Sequence, residues 1–271
     1  MQASTAMREV SAYNTAVTSD NKIHDDAIAR RFGFRGGLVP GVEVYAYMAH
    51  MPVARWGRAW LDRGHAECRF WKPVYDGALA RITAGEEEAG TLTLAVESGG
   101  ERCATGYASI LAQPPVLLIS DALPPAEPPV DRPPASEESL APGRALGIAP
   151  FTIDRAMLLD YLAEIRETEP IYCAEGLIHP GQILRLANMA LVQNVVLGPW
   201  IHVGSKVSHL AAVHIGQRLT LRSKITSNVV SKGHSIVEFD VVVVADERDV
   251  AQLTHTAIWR PRQVSENSQA A

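Results

Sequence analysis

Two spacings of apolar residues run through this chain in turn, and their order repeats. In the first half, "GLVPG" (Gly37 to Gly41) opens a helical stretch. Three segments with the alternating apolar, aromatic and β-branched content of strands follow: "HAECRFWKPVYDGALARITA", "TLTLAVES" and "ERCATGYASILA". In the second half, "GLIHPG" (Gly176 to Gly181) opens the helical "QILRLANMALVQNVVLG", and "IHVGSKVSHLAAVHIGQRLTLRSKI", "HSIVEFDVVVVA" and "DVAQLTHTAIWRP" answer the three strand segments. Gly77 and Gly216 occupy equivalent turns, at nearly the spacing that separates Gly41 from Gly181. The pattern predicts a tandem duplication of an α+β unit, each with one long central helix that a curved antiparallel sheet wraps, the two sheets pairing edge to edge.

Proline divides the halves. Nine of the seventeen prolines fall between Pro114 and Pro142, and such a segment forms neither a helix nor a central strand. The predicted organisation is a first unit over 1–113, a proline-rich linker over 114–150 crossing in extended form, a second unit over 151–262 and a disordered tail over 263–271. A chain of 271 residues is long enough for two such units.

Composition narrows the function. The net charge of −5 and the scattered basic residues lack the footprint of a nucleic-acid binder. Cys68, Cys103 and Cys173 form no CxxC pair, which argues against a disulfide framework and a structural zinc site and for reduced, packed thiols. The N-terminus lacks the apolar core of a signal peptide and no apolar run approaches a bilayer's thickness, so a cytoplasmic location without membrane partners is the expectation.

The stretch "SDNKIHDDAIARRFGFRGGLVPG" (Ser19 to Gly41) carries the candidate chemistry. Histidine titrates near working pH and suits proton transfer, which singles out His24, with Asn21 placed to orient a water or the imidazole. Asp25 and Asp26 read as helix-start residues, with a role as partners of His24 as the alternative. The order Asn21, Ile23, His24, Ala27, Gly33, Phe34, together with "RFWKPVYDG" after the helix, resembles the hydratase motif of the MaoC-like hotdog dehydratases and hydratases. The resemblance covers most of the chain and is to their double-hotdog form, of the enoyl-CoA hydratase 2 kind.

That resemblance implies addition or removal of water at an α,β-unsaturated acyl thioester, with coenzyme A or an acyl carrier as part of the substrate and no metal or other cofactor. Ser19 stands at the family's aspartate position, and Asp20 comes one residue later. On an extended segment that offset turns the side chain to the opposite face. The site set is therefore His24, Asp20, Asn21 and Ser19 for catalysis. Gly41 and Val39 at the helix start serve as oxyanion and substrate contacts, joined by His179 in the second half. Arg30, Arg31 and Arg35 are the candidates for coenzyme A phosphates, with a solvated helix face as the alternative for each.

In the second half Glu167, Glu169, Pro170 and Ile171 follow the motif, but Tyr172 stands in the histidine's place. A phenol is a poor proton acceptor at neutral pH, so one working site per chain is expected. Tyr45, Tyr47, Trp56, Trp60, Phe70 and Trp71 read as core, and His202, His209, His214, His234 and His255 as structural. A homodimer is a further expectation. Two other functions stay open: a hotdog thioesterase, marked by release of free thiol, and a non-catalytic acyl-thioester-binding protein.

Overall fold

A computed structural model describes residues 6–17, 19–87, 90–112 and 123–262. The predicted tail and residues 114–122 of the predicted linker lie outside the described residues.

Unit one runs β1 (Ala6–Ser11), a 3-10 turn (Lys22–His24), α1 (Asp26–Arg31), α2 (Gly41–Trp56), α3 (Arg58–Arg63), β2 (Gly64–Phe70), β3 (Leu79–Glu87), β4 (Thr91–Ser98) and β5 (Glu101–Ile110). Unit two runs β6 (Phe151–Thr152), α4 (Arg155–Glu164), α5 (Ile171–Glu175), α6 (Pro180–Asn194), β7 (Ile201–His209), β8 (Arg218–Ser231), β9 (His234–Ala245) and β10 (Arg248–Arg260). All ten strands form one sheet in the order β1-β3-β4-β5-β2-β7-β10-β9-β8-β6. The units join where β2 pairs antiparallel with β7, from His65 opposite Ser208 to Arg69 opposite Gly204.

The duplication is visible in matching backbone bonds. Val39 N–H donates to Val74 O as Ile178 N–H does to Val213 O, and Gly77 N–H donates to Ala12 O as Gly216 N–H does to Ile153 O. Both glycines take positive φ, 70° and 85°, a conformation that side chains disfavour.

α2 is apolar around nearly its whole circumference from Val42 to Val53 and is buried accordingly, as a helix enclosed by its sheet must be. Strands that face it alternate: in β4, Leu92, Leu94 and Val96 point inward while the residues between them are partly exposed. Residues 123–150 lie along unit two as a packed belt. Leu123, Leu140, Leu146 and Ile148 are buried, and single bridges tie Pro125 to Arg222, Pro134 to Val196 and Ala145 to Lys224.

β1 and β6 form the two edges of the sheet. β1, "AMREVS", buries only Val10, so it carries no apolar alternation from which a strand is predicted. No helix among the described residues is long and apolar enough to cross a membrane.

Candidate active site

His24 is placed by a backbone clamp. Asn14 Nδ2 donates to His24 O at 2.9 Å. A Cβ at Gly37 would lie 2.2 Å from that same oxygen, so only glycine lets the helix-start loop approach. The imidazole is fixed by Nδ1–H donating to Leu38 O at 2.6 Å. A carbonyl only accepts, so the proton sits on Nδ1 and the lone pair on Nε2. Nε2 lies 3.3 Å from Asn21 Nδ2. Burial holds the His24 pKa below 6.5 against the opposing pull of Leu38 O, which keeps the ring neutral and its Nε2 unprotonated.

Asn21 ties the two units together. Its Nδ2 donates to Trp200 O at 2.9 Å and its Oδ1 accepts from Trp200 N–H at 3.1 Å. Its Oδ1 also faces Ile23 N–H at 3.4 Å, capping the 3-10 turn that carries His24.

A cavity of about 290 Å³ opens at this point, walled by both units. Unit one contributes Asn21, His24, the segment Leu38 to Gly41, Val44 and the segment Phe70 to Val74; unit two contributes Asn188, the segment Trp200 to Val203, His234 and Ile258. Most of the wall is apolar, which raises the worth of each polar group that faces it. Gly41 begins α2, and neither its N–H nor that of Val42 has an acceptor among the described residues. These are the free donors of a helix start, backed by the positive end of its dipole.

Gly41 is glycine for a steric reason too: a Cβ there would lie 2.8 Å from His202 Nδ1. His202 is buried, and burial takes its pKa down to about 3, so it is neutral. Its Nε2 meets Ser205 Oγ at 2.8 Å, and that hydroxyl meets His255 Nδ1 at 2.9 Å. A single hydroxyl between two imidazoles donates to one and accepts from the other, which couples the two tautomers.

Several predicted site residues lie elsewhere. Asp20 is exposed and does not line the cavity, consistent with its one-residue offset from the motif. Ser19 Oγ turns back to Asn21 O at 3.4 Å. Val39 borders the cavity, but its N–H is already given to Val74 O at 2.9 Å, so it is no oxyanion donor; Gly41 is free for that part. Asp25 caps α1 through Ile28 N–H at 3.0 Å. Asp26 accepts from Gly37 N–H at 2.7 Å and pairs with Arg30 at 3.5 Å. Arg30, Arg31 and Arg35 are exposed and outside the cavity wall.

His179 is not a substrate contact. It is wholly buried in unit two as the N-cap of α6, its Nδ1 accepting from Gly181 N–H at 3.0 Å. Its Nε2 faces Glu167 Oε2 at 3.4 Å. Glu167 also accepts from His50 Nδ1–H at 2.7 Å and pairs with Arg8 at 3.7 Å. Burial alone would raise the Glu167 pKa, but the imidazoles of His179 and His50 beside it outweigh burial and hold the carboxyl well below the usual carboxylate range. Tyr172, in the motif histidine's place, is fully buried, and burial pushes its phenol up.

Sequence reading missed Asn188, Trp200 and His202, and it took Phe70 and Trp71 for core although both reach the cavity. Burial of Tyr45, Tyr47 and Trp60 agrees with a core assignment. The cysteines are unpaired, and burial pushes the Cys68 thiol up to about 12, which makes it inert. No group of three or more metal-ligating side chains gathers among the described residues.

No family model matches the chain, and no curated protein matches its sequence. Solved structures do match its fold. One described as a MaoC domain protein dehydratase, from Chloroflexus aurantiacus, superposes with a TM-score of 0.63 at 12% identity, over 97% of this chain and 96% of that one. A conserved hypothetical protein from Mycobacterium tuberculosis, described as a double hotdog, superposes with a TM-score of 0.65 at 16% identity, over 95% and 96%. A MaoC-like dehydratase gives 0.59 at 15% identity, over 95% and 98%. By architecture, therefore, this chain is a double hotdog of the kind seen in MaoC-like dehydratases.

Proposed function

We propose that the chain catalyses reversible hydration of an α,β-unsaturated acyl thioester, with coenzyme A or an acyl carrier holding the acyl group. One observation carries the reading. His24, its Nδ1 locked on Leu38 O, lines an apolar cavity with Nε2 unprotonated, at the start of α2, where Gly41 N–H has no partner among the described residues. The dehydratase descriptions of structures that share the fold point the same way.

In the forward direction the thioester carbonyl accepts from Gly41 N–H. Water gives a proton to His24 Nε2 while its oxygen bonds to Cβ, and the π electrons move to Cα and the carbonyl oxygen. The helix start stabilises that enolate-like oxygen. Protonated His24 then returns its proton to Cα on the same face, so a C–H and a C–O bond replace the C=C π bond and one O–H bond of water. Dehydration is the reverse. Among the described residues no carboxylate borders the cavity, so one imidazole serves as base and then as acid.

The test is to follow the enoyl absorbance of short and medium trans-2-enoyl thioesters together with free thiol. Reversible loss of the enoyl signal without thiol supports hydration. Thiol release identifies a thioesterase and contradicts the proposal, as does silence in both channels across carriers and chain lengths.

A further inference from the structure

The rim of the His24 cavity carries an aromatic and cationic pair that the reaction above does not use. Trp71 lines the cavity and is 57% exposed. Its ring is nonetheless fixed in place: Nε1–H donates to Thr105 Oγ1 at 2.8 Å, and the Arg69 guanidinium lies over it, 4.9 Å from the ring centre. Arg69 is exposed and has no carboxylate partner among the described residues. An indole with open surface beside an unneutralised guanidinium suits a ligand that joins a flat ring to an anion.

Arg69 leads to a second cavity. It measures about 270 Å³, lies along the seam where β2 pairs with β7, and is lined by Arg69, Lys206, Thr254 and Thr256 among others. Val203 lines both this cavity and that of His24, so the two adjoin, with the Trp71–Arg69 stack between them. The acids of the second cavity are already engaged. Glu67 accepts from Tyr107 Oη–H at 2.8 Å and pairs with Lys206 at 3.7 Å, and Glu238 accepts from Thr256 Oγ1–H at 3.1 Å. The charge left over is that of Arg69.

Unit two has neither member of the pair. Trp71 and Lys72 N–H both donate to Cys103 O, as Leu210 and Ala211 N–H do to Val250 O. Leu210 therefore holds the place of Trp71, and Ser208 that of Arg69. Of the two equivalent places, the one beside His24 alone carries the ring and the cation.

We propose that Trp71 and Arg69 bind the nucleotide end of coenzyme A, so that the substrate is a coenzyme A thioester rather than a thioester on a carrier protein. The assignment rests on the acyl-thioester reading but not on which reaction follows. The purine stacks on the open surface of Trp71, and a phosphate accepts two N–H donors from Arg69. The pantetheine arm passes Val203 into the His24 cavity. A carrier protein's arm brings a phosphate without a purine, so Trp71 is the residue that separates the two sources.

Calorimetric titration with coenzyme A and with pantetheine, which lacks the nucleotide, tests this on wild type, Trp71→Ala and Arg69→Glu. Wild type should bind coenzyme A more tightly than pantetheine. Trp71→Ala should raise the Kd for coenzyme A about 10-fold, the scale of one lost base–aromatic stack, and Arg69→Glu should raise it at least as far. Neither should change the Kd for pantetheine, which reports an intact cavity. Equal wild-type affinity for the two ligands, wild-type affinity for coenzyme A in either variant, or an equal loss for pantetheine overturns the assignment. The titration needs no turnover. A chain that binds coenzyme A through Trp71 and hydrates no enoyl thioester keeps this assignment and loses the hydratase reading. A chain that hydrates N-acetylcysteamine enoyl thioesters and gains nothing from the nucleotide does the reverse.

Discussion

The two units repeat one backbone, and the ground beside their central helices is used in opposite ways. In unit one, Gly41 faces a cavity, with His24 on one side and His202 and Asn188 reaching in from the other unit. In unit two, the corresponding Gly181 is crowded: a Cβ there would lie 2.1 Å from Tyr161 Oη and 2.7 Å from Ala46. Tyr172 replaces the histidine and is wholly buried. The carboxylate that sits near the motif position, Glu167, is tied to His50, His179 and Arg8. Duplication gave two helix starts. One kept room for a ligand, while the other holds an internal ionic cluster beside a tyrosine.

The sharpest way to break this contrast is His24→Ala. Turnover should fall about 10³-fold, within the range for loss of a general acid–base group, with an unchanged circular dichroism spectrum. Adding Tyr172→His to that variant should restore nothing, because the replaced side chain has no exposure. Recovered activity would show that unit two retains a usable site.

Glu167→Ala should move stability and leave kcat unchanged. It removes the anion from buried His50, His179 and Arg8 contacts, and breaking a buried ion pair costs about 3 kcal/mol. Urea unfolding with parallel kinetics checks the split.

Acid should weaken the fold in a defined window. Burial holds His202 at about 3, His209 at about 4 and His255 well below the ordinary 6.5. These histidines are neutral in the native state and take up protons in the unfolded chain. Their contribution is therefore intact above pH 6.5 and is lost as pH falls from there toward their native pKa values. Each contributes a slope of about 1.4 kcal/mol per pH unit. Urea midpoints at successive pH values should show the decline, and His255→Phe should flatten it.

The smallest effects belong to Ser19→Ala and Asp20→Asn. Neither residue lines the cavity, so kcat/KM should stay within about twofold, the scale of a 0.5 kcal/mol surface substitution. A large loss in Asp20→Asn would mean that the loop swings this carboxylate into the site.

The sequence shows local features of this arrangement and hides distant ones. The repeated glycine-led helices and the alternation in "TLTLAVES" are local, and local patterning carries them. His24 is legible because its neighbours form a motif. Asn188 and His202 are not, since they come from the other unit and meet His24 only after β2 pairs with β7 and α2 crosses α6. His179 misled for the converse reason: it stands at a helix start that resembles the one beside His24, and its burial and its contacts with Gly181 and Glu167 set it apart. The glycines before α2 suggest a tight turn in sequence, whereas Gly37 and Gly41 are required by close approach of His24 O and His202 Nδ1.

On the proposed function each chain holds one acyl-thioester site, in the His24 cavity. Calorimetric titration of purified protein with a non-hydrolysable thioether analogue of an enoyl-CoA examines this, with Val44→Trp, which fills that cavity, alongside. One equivalent should bind per chain in wild type and none in the variant; two equivalents, or binding that survives Val44→Trp, would place an acyl-thioester site elsewhere.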